Sequence, residues 1–194
     1  MEANITLLRT STTWDREVDI PLIEAAKAMN KEAIASIFDR YARAVYNYAL
    51  RLCNDPLAAD HVVGDVFAKL LDQLAAKKGP TSNLRSYLFQ ITYHLIIDQV
   101  RASYRQTSLE VAKFIQSSGQ PLPTGLENQL VLETLFKAIQ DDLTGDQRHV
   151  IILRFLEGFS ILETADIMRI TGENVKVIQN RAIAKLRKAL ASFF

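Results

Sequence analysis

The stretch SILETADIMRITGENVKVIQNRAIAKLRKAL, residues 160–190, decides how the chain is read. Ser160 to Met168 reads as a short helix, Arg169-Ile170-Thr171 as a tight turn, and Glu173 to Leu190 as a longer basic helix. Two helices joined by about three residues form a helix-turn-helix, whose second helix enters the DNA major groove. Ser160 and Glu163 make a capping box that starts the first helix. Thr171 is a suitable N-cap for the second. Val175, Ile178, Ala182 and Leu186 recur at three- and four-residue steps and form a stripe for burial. The opposite face carries Lys176, Gln179, Asn180, Lys185, Arg187 and Lys188. Amide side chains suit adenine edges, and cations suit guanine or phosphate. A plain αα-hairpin explains the same residues, because Lys and Arg also favour the C-terminal end of any helix.

Composition narrows the choice. The chain has 194 residues, 48% hydrophobic and 23% charged, with a net charge of +1. That is enough apolar material for a core, and Gly and Pro are scarce, as suits an all-helical protein. A groove reader with so little net charge must concentrate its cations locally. Cys53 is the only cysteine, so no intramolecular disulfide and no paired-cysteine zinc site are expected. It lies in an apolar helical pattern and reads as a structural thiol. Neither a signal peptide nor a membrane span is visible, so a soluble cytoplasmic protein is expected. Three scattered histidines, no Gly-rich phosphate loop and no nucleophile motif give no catalytic constellation, no metal site and no cofactor.

The rest of the chain is organised around helices. Residues 1–19 lack periodicity and read as a lead-in. Pro21 is placed as a first-turn residue of a helix over 22–29. Helical spacing continues over 31–52, with Ala33, Ile34, Ile37, Phe38, Tyr41, Val45, Tyr48, Ala49 and Leu52 as the apolar set. Asp55-Pro56 signals the start of a helix to about residue 76. A loop follows at 77–82, then a helix from Asn83 to about Ser103. The run from Gln116 to Gly125 has linker composition. Helix resumes near Glu127. Thr144 and Gln147 cap the next helix, 145–156, and Gly158 closes it in the left-handed region. The expected fold is all-α. It has two small helical domains, 20–105 and 127–194, joined by a flexible linker at 106–126, with the helix-turn-helix in the second.

Residues 143–190 resemble region 4 of a bacterial sigma factor. Leu143, Arg154, Glu157, Gly158, Ser160, Glu163, Ala165, Val175, Lys176, Arg181 and Ala182 fall on the family pattern in register. The segments FDRYARAVYNYALRLCNDPLAADHVVGDVFAKLL and LRSYLFQITYHLIIDQVRASYR are similar to region 2. No region 1.1 or region 3 domain fits between them. The plan is similar to that of the extracytoplasmic-function (ECF) sigma factors, which direct core RNA polymerase to promoters.

The resemblance implies three surfaces. Core polymerase binding, through the β′ coiled coil, falls to Asp60, His61, Gly64, Asp65 and Phe67, with His61 and Gly64 standing where the family usually has Asp and Gln. A contact with the β flap is also implied. The minus-10 element falls to Lys77, Lys78, Asn83, Arg85, Phe89, Gln90, Tyr93, His94, Arg101 and Arg105. Unstacked bases need aromatic surfaces and a basic approach. Phe89 and Tyr93 share a face distinct from Leu88, Ile91 and Leu95, which makes them the stacking candidates, with Tyr87 in the core. His94 replaces a family Asn. Asp98 is expected to orient Arg101 or Arg105. The minus-35 element falls to Arg148, Arg154, Thr171, Asn174, Lys176, Gln179, Asn180 and Arg181, with Arg148 and Arg154 on phosphates. Arg169 stands where a turn glycine is common, and Ile178 where an arginine is common. The partners implied are core polymerase, promoter DNA and an anti-sigma factor, without membrane insertion. A free-standing duplex-binding regulator and a sigma-like interaction module that no longer melts promoters are the alternatives. Both remain to be separated by whether core binding and transcription occur.

Overall fold

The computed structural model describes residues 16–106 and 126–191, with side chains over 19–101 and 134–191. All regular structure among the described residues is helical: α1 (Arg16–Lys27), α2 (Lys31–Cys53), α3 (Pro56–Ala75), α4 (Leu84–Gln106), α5 (Leu126–Asp142), α6 (Gly145–Ile151), α7 (Ile161–Met168) and α8 (Gly172–Leu190). They form two compact units, α1–α4 and α5–α8. The expected linker falls almost entirely on residues outside the described ones.

In the first unit α3 packs against both α2 and α4, and α1 lies on α2. The start of α2 is fixed by Asn30, whose side chain accepts the Ala33 N–H at 2.8 Å. Asp55 caps α3 by accepting the Leu57 N–H at 2.9 Å, with Pro56 in the first turn, where its missing N–H costs nothing. Ile37, Val45, Ala49, Val62, Val66, Leu70, Leu74, Leu84, Leu88 and Ile96 fill the core.

The first helix differs from the sequence expectation. It begins at Arg16, so Pro21 lies inside it rather than at its start. Asp19, expected in an unpatterned lead-in, is 3% exposed. The Tyr41 hydroxyl donates to it at 2.7 Å and Arg40 at 3.3 Å. A buried carboxylate anchored this way ties α1 to α2 through polar contacts, which hydrophobic periodicity does not reveal. Burial, then the bond to Asp19, pushes the Tyr41 hydroxyl well above its ordinary pKa.

In the second unit α8 packs against α5, α6 and α7. Ala138, Ile139, Leu143, Ile151, Ala182 and Leu186 form one part of its core. Val150, Ile152, Leu153, Phe159, Ala165, Ile167, Met168 and Val175 are buried as well. The α6 segment does not continue as α-helix to residue 156. Ile152–Leu156 is π-helical, and the Glu157 N–H donates to the Ile152 carbonyl at 2.9 Å. Such wider turns occur as single insertions in helices, often at functional sites. Gly158, at φ 74°, ends the segment as expected.

Candidate nucleic-acid interface

The helix pair α7–α8 is built by local bonds. Ser160 accepts the Glu163 N–H at 3.2 Å, and Glu163 accepts the Ser160 N–H at 2.9 Å, completing the capping box. At the other end of α7, Arg169 adopts φ 54°. The Ile170 N–H donates to the Ala165 carbonyl at 3.0 Å, and the Arg169 N–H to Asp166 at 3.4 Å. That pair of bonds is a Schellman motif with arginine at the left-handed position. Thr171 then accepts the Asn174 N–H at 3.3 Å and starts α8. The turn is therefore fixed at both ends, which sets the direction of α8.

On α8, Val175, Ala182 and Leu186 are buried and Ile178 is half-buried. Thr171, Asn174, Lys176, Asn180 and Arg181 are all exposed near the start of the helix. Val177, 46% exposed, joins them. It was absent from the sequence reading, although a branched apolar side chain suits a thymine methyl. Arg187 and Lys188 are exposed further along, and Lys185 donates to the Asp142 carbonyl at 3.2 Å, closing the end of α5. Glu173 is the single carboxylate of α8.

The remaining three expected duplex contacts, Arg148, Arg154 and Gln179, are half-buried and bonded within the unit. Arg154 is half-buried, donating from Nε to Gln179 Oε1 at 3.1 Å and from Nη1 to the Phe159 carbonyl. Arg148 is half-buried and donates from Nη1 to Gln140 Oε1 at 2.9 Å. Both arginines, expected to contact phosphates from the preceding helix, also bond to groups of their own unit. Arg148 bonds to Gln140 on α5 and Arg154 to Gln179 on α8, and α8 packs against both α5 and α6. Beside Arg148, His149 is 2% exposed, and burial followed by the nearby guanidinium pulls its pKa down to about 3.

In the first unit, Lys77 and Lys78 are exposed just beyond α3. Lys77 takes φ 54°, and the Lys78 N–H donates to the Gln73 carbonyl at 2.8 Å, so this end is also a Schellman closure. Asn83 is half-buried and accepts the Ser86 N–H at 3.0 Å, capping α4. Arg85 is buried, its guanidinium 5.3 Å from the centre of the Phe89 ring. Phe89 is 0% exposed and stacks on Tyr48 at 5.0 Å. Tyr93 is buried and meets the half-buried His94 edge-on at 5.3 Å.

The expected free aromatic face of Phe89 and Tyr93 is thus corrected: both rings are inside. Tyr87, expected in the core, is half-buried and packs against the core cluster. The reason is that α4 contacts both α2 and α3, so a single apolar stripe does not describe it. His94 Nδ1 lies 2.7 Å from the Gln90 carbonyl. A carbonyl only accepts, so Nδ1 carries the proton in this contact. Gln90 is half-buried, Arg101 is exposed and 3.9 Å from Asp98, and the side chain of Arg105 lies outside the described residues.

Along α3, Asp60, His61, Gly64 and Asp65 are exposed together. Phe67 does not share that face. It is buried and packs on Phe38 at 4.8 Å, forming the floor of an apolar groove edged by Ile34, Phe38 and Leu71. Among the described residues there is no group of three or more metal-ligating side chains, and no helix is long and apolar enough to cross a membrane.

The family models for Sigma-70 region 2 and Sigma-70 region 4 match residues 37–106 and 141–188. The chain is 30% identical over 163 residues to the ECF RNA polymerase sigma factor SigX of Bacillus subtilis, covering 81% of this chain and 84% of the relative. It is similar, at 27% identity and a TM-score of 0.69, to the sigma factor RpoE solved with the anti-sigma factor NepR from Bartonella quintana, over 79% of this chain and 94% of that one. The fold is also that of CnrH, solved with the cytosolic domain of CnrY, at a TM-score of 0.65 and 24% identity over 92% of this chain and 99% of that one. With both regions present in order, the chain belongs to the ECF RNA polymerase sigma factors, which bind core RNA polymerase and direct it to promoter DNA.

Proposed function

We propose that α8 reads the minus-35 element through Asn174, Lys176, Asn180 and Arg181, with Thr171 at its edge. The observation that carries this is the fixed turn at Arg169–Thr171, which presents those exposed side chains along the first half of α8. Asn174 and Asn180 supply donor-and-acceptor pairs for base edges, and Lys176 and Arg181 supply cations for guanine or phosphate. Arg148 and Arg154 act from behind by holding α6 and the π turn to their neighbours, with any phosphate contact made by the N–H groups that remain.

The minus-10 element is assigned to a rim of Lys77, Lys78, Gln90, His94 and Arg101 approaching the non-template strand, with Arg105, whose side chain lies outside the described residues, following them in sequence. Tyr87 is a half-buried ring on this helix, and its hydroxyl pKa is raised by burial. Arg85, Phe89 and Tyr93 support that rim from within, and Asn83 caps its helix. Asp60, His61, Gly64 and Asp65 form the docking face for the β′ coiled coil, with Phe67 stabilising it from below. Region 4 meets the β flap. An anti-sigma factor is the proposed antagonist, as NepR accompanies the similar RpoE. The protein works in the bacterial cytoplasm as an initiation factor, and polymerisation chemistry belongs to the core enzyme.

The test is run-off transcription by core polymerase mixed with this protein on a promoter library, with start sites sequenced. Start sites that share two spaced upstream elements are expected. Asn180→Ala should relax one upstream position, at about 1–3 kcal/mol of lost discrimination. Duplex binding without core would favour a free-standing regulator, and core binding without transcription an interaction module.

A further inference from the structure

Arg154 joins three parts of the second unit. It sits in the π turn, donates to the Phe159 carbonyl before α7, and donates from Nε to Gln179 Oε1 on α8 at 3.1 Å. A guanidinium has donors and no acceptor, so the atom of Gln179 that faces it is the oxygen. This settles an orientation that is ordinarily ambiguous, because amide oxygen and nitrogen look alike. The –NH2 end of Gln179 makes no hydrogen bond among the described residues and is not among their enclosed, unsatisfied polar atoms. Gln179 follows the exposed Lys176 by three positions, so the two are neighbours on the helix surface.

A free glutamine pairs with adenine through both ends of its amide, donating to N7 and accepting from the N6 amino group. With its oxygen turned in to Arg154, the amide of Gln179 leads with donors. We propose that Arg154 holds Gln179 as a donor contact for a hydrogen-bond acceptor on the promoter duplex, either the paired acceptors of guanine or a phosphate oxygen. Arg154 is a positioning residue and touches no DNA through this bond. Gln179 is the residue that discriminates. The inference rests on the reading of α8 as the minus-35 reader and adds to it which chemistry one position selects.

The experiment uses the holoenzyme on a library randomised across the upstream element, with Gln179→Leu, Gln179→Glu and Arg154→Met compared with the unchanged chain. Thermal unfolding of each variant is followed in parallel. In the base-edge arm, the unchanged protein selects guanine at one position, and Gln179→Leu flattens that preference by about tenfold. Arg154→Met then admits adenine there, because the amide is free to turn. In the phosphate arm, Gln179→Leu lowers transcript yield evenly across the library. Gln179→Glu keeps an acceptor for Arg154 but has no donor, so it falls with Gln179→Leu in either arm while its fold holds. That pair carries the test if Arg154→Met does not fold. Unchanged yield and unchanged preference in Gln179→Leu overturn the inference while leaving the promoter-reading role intact. So does wild-type selection of adenine at the position that Gln179→Leu flattens, or a Gln179→Glu variant that transcribes like the unchanged chain. Absence of promoter-selective transcription by the unchanged protein overturns the reading of α8 and this inference together.

Discussion

Arg169 holds the left-handed conformation that turns α7 into α8, at φ 54°. For a residue with a Cβ that conformation costs on the order of 1 kcal/mol, and glycine is spared it. Arg169→Gly is therefore expected to stabilise the helix pair by up to about 0.5 kcal/mol, after allowing for the greater freedom of glycine when unfolded. A denaturant midpoint that falls instead of rising would show that the arginine side chain contributes more than its backbone strain costs. The sequence marked this turn by its spacing and by Thr171, but hydrophobic periodicity carries no information about a φ angle. The same limit explains Phe89 and Tyr93. Their four-residue spacing places them on one face, yet which partner covers that face depends on α2 and α3, far away in the chain. Conversely, Asn174, Lys176, Asn180 and Arg181 were readable because they lie opposite a regular apolar stripe.

At the scale of elements, α6 carries a pH dependence. His149 is almost wholly buried and its pKa falls to about 3, against about 6.5 when unfolded. Between those values the unfolded chain binds the proton and the folded chain does not. Stability from this group is complete above pH 6.5 and declines as the pH drops towards 3. The slope approaches about 1.4 kcal/mol per pH unit where the difference is full. The thermal midpoint of the unchanged chain should drop between pH 7.5 and pH 5, and His149→Gln should remove part of that drop. Equal slopes in both proteins would refute the assignment. The element boundaries were largely legible, because Asn30, Asp55, Ser160 and Thr171 announce their helices by side-chain capping. Two features were not. The π turn at Ile152–Leu156 begins at the buried Ile152 and Leu153, and α1 reaches back to Arg16 with Asp19 bonded to residues on α2.

Across the whole molecule, charge is local. The chain has a net charge of +1, while α8 carries Lys176, Arg181, Lys185, Arg187 and Lys188 against Glu173. One short basic helix neutralises few phosphates, so the free chain should bind promoter duplex no tighter than about 1 µM at physiological salt. The holoenzyme should bind far more tightly, since two modules carried on one polymerase raise each other's effective concentration. Fluorescence anisotropy of labelled duplex, with and without core polymerase, measures the difference, and nanomolar binding by the free chain would contradict it. The sequence by itself determined the all-helical fold, the two regions with their order, and the exposed basic face of α8. These follow from local periodicity, capping and pattern, all of which act within a few residues. The tertiary structure decided which polar groups are available. Arg154, Arg148, Phe89, Tyr93 and Phe67 were all chemically eligible for contact, but the three rings are buried and the two arginines are half-buried and bonded to neighbours. A side chain's chemistry is written in the sequence. Whether it meets solvent or another helix depends on packing between distant segments, and burial changes both its bonding partners and its charge.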